Sequence, residues 1–254
     1  MKDRSALRLA TLQEALASGG TLHLRDAAEL CGVSEMTIRR DVNASPQVIS
    51  LLGGRLVMAH TPGVTPVYDL SEQEASHYQA KRRLCQRAQR FIEDGDTLFV
   101  DCGSTLMPLM NQLSGYQELT VITYALNIAN AVAPLPNVRL VLLGGLFYPA
   151  SQTFASDTMA ESIERLGINK AFISAAGVDV QRGVSCFHFH EVLPKQAAMA
   201  AATQRLLVVD ASKFGVVRPA YFASVSEFDV VVTDDESAPG MLHEHSPLTT
   251  ITAP

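Results

Sequence analysis

The segment from Leu22 to Val42 constrains the fold more than any other part of the chain, because its pattern is that of two short helices joined by a tight turn. The first helix carries small and apolar residues at helical spacing, namely Ala27, Ala28, Leu30 and Cys31. Gly32 supplies the conformationally permissive residue that the turn needs, and Ser34 stands where a helix N-cap is preferred. The pattern predicts a helix-turn-helix, although an ordinary helical hairpin on a protein surface would give the same sequence pattern.

The second helix of this segment separates apolar from polar side chains. Its apolar positions, which we expect to be buried, are Met36, Ile38 and Val42. In a helix-turn-helix this element enters the DNA major groove, where hydroxyl and guanidinium groups meet base edges and phosphates. The predicted DNA-binding residues are Ser34, Glu35, Thr37, Arg39, Arg40 and, from the hairpin described next, Arg55.

Sequences on both sides of this segment extend the prediction to a winged helix-turn-helix. Upstream, one face of a further helix is marked by residues four apart, which are Arg8, Leu12 and Leu16. Downstream, residues 48–58 form two apolar runs around Gly53-Gly54, a hairpin pattern with Arg55 just past its tip. Three helices followed by a hairpin predict a winged helix domain over residues 1–60.

The rest of the chain predicts an α/β domain over residues 73–254. Breaker-rich residues 61–66 open a predicted linker over 61–72, and a capping box at Ser71 and Glu74 predicts a helix that reaches about Ile92. Six apolar runs then predict strands at 97–100, 120–123, 138–143, 171–175, 206–209 and 230–233, with helices near 106–113, 125–133, 157–166 and 191–203. Apolar strands separated by helices predict a mostly parallel sheet, whose ligands bind at the carboxyl ends of the strands.

The most informative strand end is the loop Asp101-Cys-Gly-Ser-Thr105, which a predicted helix follows at once. Backbone amides at such a junction, together with hydroxyl groups, bind anions such as phosphate, although plain capping by Ser104 or Thr105 would give the same pattern. Polar or glycine-rich residues also follow the other strands. Their convergence on one edge predicts a pocket for a small phosphorylated ligand, with binding residues Asp101, Gly103, Ser104, Thr105, Tyr124, Gly144, Gly145, Asp179 and Lys213.

Charge and composition limit the partners. Residues 1–60 carry seven Lys/Arg against six Asp/Glu, whereas the remainder carries 13 against 20, so the net charges are +1 and −7. So weak a positive charge predicts few phosphate contacts per subunit, and useful DNA affinity then needs a homo-oligomer. No apolar run approaches the roughly 20 residues of a membrane helix, and no secretory signal follows Met1, so we expect a cytoplasmic protein without a membrane partner.

Cysteine and histidine patterns favour neither disulfides nor metal binding. The four cysteines have no paired spacing, which is typical of reduced thiols. Cys186, His188 and His190 alternate along one face of an extended segment, but no fourth ligand accompanies them. We therefore predict no metal site and no cofactor.

Two groups of residues resemble the DeoR family of bacterial transcriptional repressors. The N-terminal group is Arg8, Leu12, Leu16, Ser34, Thr37, Ile38, Arg39, Asp41 and Val42. The C-terminal group is Lys81, Asp101-Cys-Gly-Ser-Thr105, Gly144, Gly145, Gly183, Glu191, Lys195 and Asp210-Ala-Ser-Lys-Phe-Gly215. The resemblance implies operator DNA as partner and a sensor domain that resembles ribose-phosphate isomerases and binds phosphorylated sugars. It adds Lys81 and Glu191 to the expected ligand-binding residues.

Within the family, residues 34–41, 174–178 and 213–220 are most similar to repressors of deoxyribonucleoside breakdown. This likeness implies deoxyribose 5-phosphate as the effector. Three positions depart from the wider family: His190 replaces an acidic residue, Tyr124 replaces a more frequent asparagine, and a glycine common after Phe154 is missing. They surround the expected pocket, so they bear on the identity of the ligand and leave the fold intact.

Three functions are compatible with these patterns. The first is a repressor that a sugar phosphate releases from DNA. The second is an aldose–ketose phosphate isomerase with an appended interaction module, whose acid–base candidates by residue type are Asp101, Asp179, Glu191 and Lys213. The third is a DNA-binding protein whose sheet serves only to oligomerise. The sequence favours the repressor and predicts no enzyme activity.

Overall fold

A computed structural model describes residues 2–19, 21–43, 49–52, 55–58, 77–234 and 249–252. The chain divides into two compact units, Met1–Val67 and Tyr68–Pro254. The predicted linker over 61–72 and the predicted capping box at Ser71 and Glu74 lie outside the described residues. Within the described ranges, every helix is too short or too polar to cross a membrane.

The N-terminal unit is a winged helix-turn-helix, as predicted. Its helices are α1 (Lys2–Gly19), α2 (Leu24–Cys31) and α3 (Glu35–Asn43). Its strands are β1 (Thr21–His23), β2 (Ile49–Leu52) and β3 (Arg55–Met58), and they form an antiparallel sheet in the order β1-β3-β2. The hairpin expected around Gly53-Gly54 is present as the β2–β3 pair, while those two glycines lie outside the described residues.

Apolar side chains from all three helices and both hairpin strands fill the core of this unit, including Leu12, Leu16, Leu24, Ala27, Ile38, Val42, Ile49 and Leu56. Gly32 ends α2 in the left-handed conformation with φ of 63°, which confirms its predicted place in the turn. The prediction that Met36 is buried is wrong, because this side chain is 73% exposed. Ile38 and Val42 occupy the inner face of α3, and a residue two positions before Ile38 falls on the opposite face.

The second unit contains, in chain order, α4 (Tyr78–Ala88), β4 (Thr97–Val100), α5 (Met107–Met110), β5 (Leu119–Thr123), α6 (Leu126–Val132), β6 (Val138–Leu142), β7 (Leu146–Tyr148), β8 (Thr153–Ala155), α7 (Met159–Glu164), β9 (Ile168–Ser174), β10 (Gly177–Asp179), β11 (Gly183–Cys186), α8 (Val192–Ala201), β12 (Ala202–Val208), β13 (Ala220–Ala223), β14 (Val230–Thr233) and β15 (Thr249–Thr252). The helix expected to reach Ile92 ends at Ala88 and continues as a 3-10 turn, Gln89–Phe91. Each of the six predicted strands is present, β4 and β14 with the predicted ends and the other four with shifted ends. The strands that the prediction lacked are β7, β8, β10, β11, β13 and β15.

A seven-stranded parallel sheet organises this unit, with strand order β15-β14-β12-β9-β4-β5-β6. Its central strands are buried, and they include Phe99 of β4, Phe172 of β9 and Leu207 of β12. Two small antiparallel sheets, β10-β11-β13 and the β7–β8 hairpin, complete the unit. The predicted fold class, a winged helix-turn-helix followed by a mostly parallel α/β domain, is confirmed.

The direction of strand addition reverses between β4 and β9. From β4 the chain adds β5 and β6 on one side, whereas from β9 it adds β12, β14 and β15 on the other. In open parallel sheets a crevice forms outside the carboxyl ends of the strands at such a reversal, because the flanking loops diverge there. The loops after β4 and β9 are therefore the place to look for a ligand site.

Candidate functional site

The outer face of α3 gathers the predicted DNA-binding residues of that helix. Ser34 caps α3, since its Oγ accepts a hydrogen bond from the Thr37 amide at 3.3 Å and lies 3.0 Å from Thr37 Oγ1. Exposed side chains on this surface are Ser34, Glu35, Arg39 and Arg40, and Thr37 is half-buried among them. Arg55 opens β3, where its backbone pairs with Leu52. The helix therefore presents hydroxyl and guanidinium groups to solvent from a capped, packed scaffold.

A buried ion pair fixes α3 against α1. The Asp41 carboxylate, on the inner face of α3, accepts hydrogen bonds from Ser5 Oγ at 2.8 Å and from Arg8 Nε at 2.7 Å. Arg8 Nη2 contacts the same carboxylate at 2.6 Å. The carboxylate is 5% exposed and the arginine 19%, so solvent screens the pair only weakly. Arg8 and Asp41 therefore act on the orientation of the exposed helix and lie off its outer face.

A pocket lies at the carboxyl edge of the parallel sheet of the second unit, at the reversal between β4 and β9. The loop after β4 contributes Cys102, Gly103, Ser104 and Thr105 to its lining. The end of β9 contributes Ser174, Ala175 and Ala176. Other parts of the unit contribute Lys81, Cys186, Phe187, Glu191, Lys195 and Lys213. Six of the predicted ligand-binding residues thus line one pocket: Lys81, Gly103, Ser104, Thr105, Glu191 and Lys213.

The loop after β4 has the features of an anion cradle. Gly103 adopts a φ of 97°, which favours glycine, and Asn127 Nδ2 donates a hydrogen bond to its carbonyl at 3.2 Å. Among the described residues, the backbone amides of Gly103, Ser104 and Thr105 have no hydrogen-bond acceptor. Lys81 Nζ, buried on α4, donates to Ser104 Oγ at 2.8 Å and brings a positive charge to the same place. Amides, hydroxyls and an ammonium group together favour a phosphate or carboxylate.

Asp101 and Tyr124, both predicted to bind the ligand, are instead behind the floor of the pocket. Both side chains are fully buried, and the Tyr124 hydroxyl donates to Asp101 Oδ1 at 2.8 Å. Asp101 Oδ2 accepts from the Ser174 amide at 2.9 Å and forms an ion pair with Lys195. Burial is the largest effect on Lys195 and lowers its pKa, but the Asp101 carboxylate together with Cys102, Glu191 and Cys186 holds this pKa above its ordinary value. This closed network supports the pocket from below.

Glu191 is the one carboxylate among the described residues that line the pocket. Burial raises the pKa of this carboxyl group to about 7, against the opposing effect of the Lys195 ammonium group. Hydrogen bonds from the thiols of Cys102 and Cys186 also lower this pKa. The pocket therefore has one acid–base group that titrates near neutrality, beside a lysine whose charge Asp101 already balances.

Three predicted ligand residues, Gly144, Gly145 and Asp179, are not part of the lining. A Cβ atom at Gly145, whose φ is 151°, would lie 2.3 Å from the carbonyl oxygen of Ala155, so the glycine permits the close approach of β8. Asp179 Oδ1 accepts hydrogen bonds from the amides of Gln181 and Arg182 at 3.0 and 2.8 Å, which stabilises the turn between β10 and β11. Gly145 and Asp179 therefore stabilise local structure and do not line the pocket.

The sequence prediction missed several lining residues, of which Lys195 is the most important. Its signal was present, because Lys195 follows Glu191 by four residues and therefore shares its helical face. Cys102, Ser174 and Cys186 carry no comparable signal. A thiol or a small hydroxyl side chain at a strand end is as common in cores as in pockets.

The Cys186, His188 and His190 pattern is divided in the structure. Cys186 lines the pocket, whereas the His190 ring stacks on Tyr148 at 3.8 Å and on His188 at 5.2 Å between centroids. His190 Nε2 lies 3.1 Å from Thr153 Oγ1, and burial lowers the pKa of this imidazole to about 4. These imidazoles therefore join the β7–β8 hairpin to the segment before α8. In the part of the chain that the structure describes, no three His, Cys, Asp or Glu side chains are grouped to hold a metal.

Comparisons with known proteins agree with this division into two units. The family model of the DeoR-like helix-turn-helix domain matches residues 8–48, and that of the DeoR C terminal sensor domain matches residues 76–235. The deoxyribose operon repressor of Escherichia coli K12 is 38% identical over 234 residues, which cover 92% of each protein. The glycerol-3-phosphate regulon repressor of the same organism is 28% identical over 217 residues, or 85% of each protein. A D-ribose-5-phosphate isomerase solved with phospho-erythronic acid aligns with a TM-score of 0.41 at 15% identity, over 54% of either chain.

Proposed function

Because the chain belongs to the DeoR family of transcriptional repressors, we propose that it represses genes of deoxyribonucleoside breakdown and leaves its operator when deoxyribose 5-phosphate fills the sensor pocket. The name of its 38% identical relative, a deoxyribose operon repressor, supports this choice of genes and sugar. Operator DNA lies in the bacterial cytoplasm, which is where we place the protein.

One observation carries the choice of a phosphorylated effector. The amides of Gly103, Ser104 and Thr105 lack acceptors among the described residues, and they border a pocket that Lys81 and Lys213 also line. Amide groups that border a pocket without protein acceptors favour an anionic ligand, because its oxygens replace the water that would otherwise satisfy them. In this proposal the phosphate occupies the loop after β4, and the sugar extends toward Glu191.

For DNA binding, we propose that α3 contacts the major groove through Ser34, Thr37, Arg39 and Arg40, with Glu35 beside them. Arg55, on the β2–β3 hairpin, contacts the DNA phosphate backbone in this proposal. The net charge of +1 over residues 1–60 supports assembly of several copies on one operator, since a single unit makes few phosphate contacts. Helix-turn-helix proteins commonly bind paired half-sites as dimers, which supplies the missing affinity.

Release requires that the sugar phosphate bind one conformation of the protein better than the other. To move the DNA-competent population from nearly all to nearly none, that preference must reach about 10⁴-fold, or roughly 5.5 kcal/mol. We place its source at the phosphate, because new charge-assisted hydrogen bonds to the loop after β4 are the strongest contacts that the pocket offers.

A binding experiment tests the pocket. We expect calorimetry to give tight binding of deoxyribose 5-phosphate and no binding of free deoxyribose, because the phosphate supplies the contacts with the loop. Lys213→Ala and Thr105→Val, which remove a charge and a hydroxyl group from the lining, should each weaken the affinity about tenfold. Arg165→Ala, which removes an exposed charge of the same unit, should leave it unchanged. Equal affinity for the free and the phosphorylated sugar would refute the assignment.

Isomerase activity is the second candidate, and the raised pKa of Glu191 is the observation that favours it. Proton transfer between adjacent sugar carbons also needs a cation to stabilise the enediolate, and the nearby Lys195 is held by Asp101. Incubation with ribose 5-phosphate, followed by assay for ribulose 5-phosphate, decides between the two. We expect no conversion above the rate without protein, and turnover abolished by Glu191→Gln would establish an enzyme.

A further inference from the structure

We propose that the thiols of Cys102 and Cys186 make the sugar end of the pocket selective for 2-deoxy sugar phosphates, because they offer a 2-hydroxyl group no effective hydrogen-bond partner. This inference rests on the proposed function, in which a pentose phosphate is the effector. It assigns the discrimination between deoxyribose and ribose to two uncharged side chains of the pocket lining.

Electrostatics orients the ligand. The loop after β4 and the Lys81 ammonium group attract the phosphate, whereas the Glu191 carboxyl group repels a dianion whenever it is ionised. The phosphate therefore lies away from Glu191, and the sugar lies beside it. Cys102 and Cys186 both interact with the Glu191 carboxyl group and both line the pocket, so the two sulfur atoms border the sugar end.

Neither thiol is a good partner for a hydroxyl group. Both side chains are at least 95% buried, and burial raises the pKa of the Cys186 thiol to about 12, which keeps it neutral. Cys186 Sγ, which contacts the Glu191 carboxyl group, also lies 3.5 and 3.6 Å from the carbonyl oxygens of His188 and Ala220, so its one hydrogen already has protein acceptors. Cys102 Sγ already lies 3.1 Å from the Tyr124 hydroxyl group. A thiol sulfur is in any case only a weak acceptor, so each presents an essentially apolar surface.

Apart from the Glu191 carboxyl group, which the two thiols contact, the polar groups around the thiols are committed to one another. Lys195 Nζ donates to Asp101 and lies 3.3 Å from the carbonyl oxygen of Ser174. The Ser174 hydroxyl group in turn contacts the carbonyl oxygen of Cys102 at 2.8 Å. A sugar hydroxyl group that meets this wall gives up its water and finds a weak partner in return. Burial of an unpaired hydroxyl group lowers affinity about 10- to 100-fold, whereas a CH₂ group at the same position loses nothing.

A ligand series tests the proposal on the unmodified protein. Calorimetry compares 2-deoxyribose 5-phosphate, ribose 5-phosphate and 2-deoxy-2-fluororibose 5-phosphate. Fluorine adds bulk but is a poor hydrogen-bond partner, so the fluorinated sugar should bind within about threefold of the deoxy sugar, while ribose 5-phosphate binds at least about tenfold more weakly. Rejection of the fluorinated sugar as strong as that of ribose 5-phosphate would overturn the proposal in favour of steric exclusion.

Serine variants test the two sulfur atoms directly. Cys186→Ser and Cys102→Ser replace a weak acceptor with a strong one, so at least one should improve ribose 5-phosphate binding about three- to tenfold relative to deoxyribose 5-phosphate. Cys186→Ala and Cys102→Ala should keep the wild-type preference, and Cys31→Ser, in the N-terminal unit, is the matched control. Thermal melts identify variants that do not fold, and in that case the ligand series on the unmodified protein decides the question.

The failures can be told apart. If the unmodified protein binds no pentose phosphate, both the proposed function and this inference fall. If it prefers the deoxy sugar and both folded serine variants keep the same ratio, only the role of the thiols is refuted.

Discussion

The two units of the chain place their charged side chains in opposite ways. The helix-turn-helix leaves Glu35, Arg39 and Arg40 in solvent, whereas the sensor unit buries Lys81, Asp101, Glu191 and Lys195. A charge on a surface keeps its water until DNA arrives, so it needs little more than a rigid helix beneath it. A charge in a pocket has lost its water on folding and must be held by partners. The proposed DNA contacts of α3 therefore need an exposed helix face on a rigid scaffold, whereas the proposed effector contacts depend on a buried network.

The largest expected effect comes from opening that network. Lys195→Met leaves the fully buried Asp101 carboxylate without its cation, and we expect the free energy of unfolding to fall by about 3–5 kcal/mol. Chemical denaturation measures the loss. Arg25→Met removes the exposed Arg25–Glu29 pair and should change stability by no more than about 0.5 kcal/mol. Similar losses of unfolding free energy for both variants would contradict the expected difference between buried and exposed charges.

The pH dependence of stability sharpens the same contrast. The pKa of Glu191 is about 7 in the folded protein, above its ordinary value of 4.5, so ionisation opposes folding. Stability from this group is complete below pH 4.5 and is lost as the pH rises through 7, by about 3 kcal/mol in all. Glu191→Gln should remove this loss, so the difference between wild type and variant should grow from pH 4.5 to 7. A stability difference that does not change with pH would mean that the Glu191 carboxyl group is hydrated in the folded protein.

Among the described residues of the N-terminal unit, Arg8 and Asp41 form one largely buried ion pair, which allows the effect of the scaffold to be separated from that of the exposed surface. Arg8→Ala leaves the Asp41 carboxylate with the Ser5 hydroxyl group, and we expect a loss of about 2 kcal/mol confined to this unit. Hydrogen exchange measured by mass spectrometry should rise within residues 2–43, with residues 77–234 unchanged. Faster exchange throughout the chain would mean that the two units do not unfold independently.

The smallest effect on stability is expected at the exposed face. Arg39→Ala should leave the free energy of unfolding within about 0.5 kcal/mol of wild type and weaken operator binding about 10- to 100-fold, because the proposed guanidinium contact to a base edge would be lost. Binding of deoxyribose 5-phosphate should not change. Loss of both binding activities would show that α3 is structural.

The contrast also explains what the sequence could predict. Exposure along α3 follows from a period of 3.6 residues, and Met36 departs from the prediction because its apolar side chain lies on the outer face. The floor of the pocket joins Asp101 to Lys195 across 94 positions of sequence, so no local pattern indicates that the two neutralise each other. The predicted strand ends located the edge of the sheet correctly. Which side chains there face a ligand and which lie beneath the floor depends on packing that only the folded chain reveals.

The most direct test of the division of labour between the two units is operator binding followed by fluorescence anisotropy at fixed salt. The DNA would be the region upstream of neighbouring deoxyribonucleoside-catabolic genes, and deoxyribose 5-phosphate would be titrated into the complex. We predict that the complex dissociates with this sugar phosphate and persists with free deoxyribose and with ribose 5-phosphate at the same concentration. A complex that persists while calorimetry detects the sugar phosphate in the pocket would contradict the account.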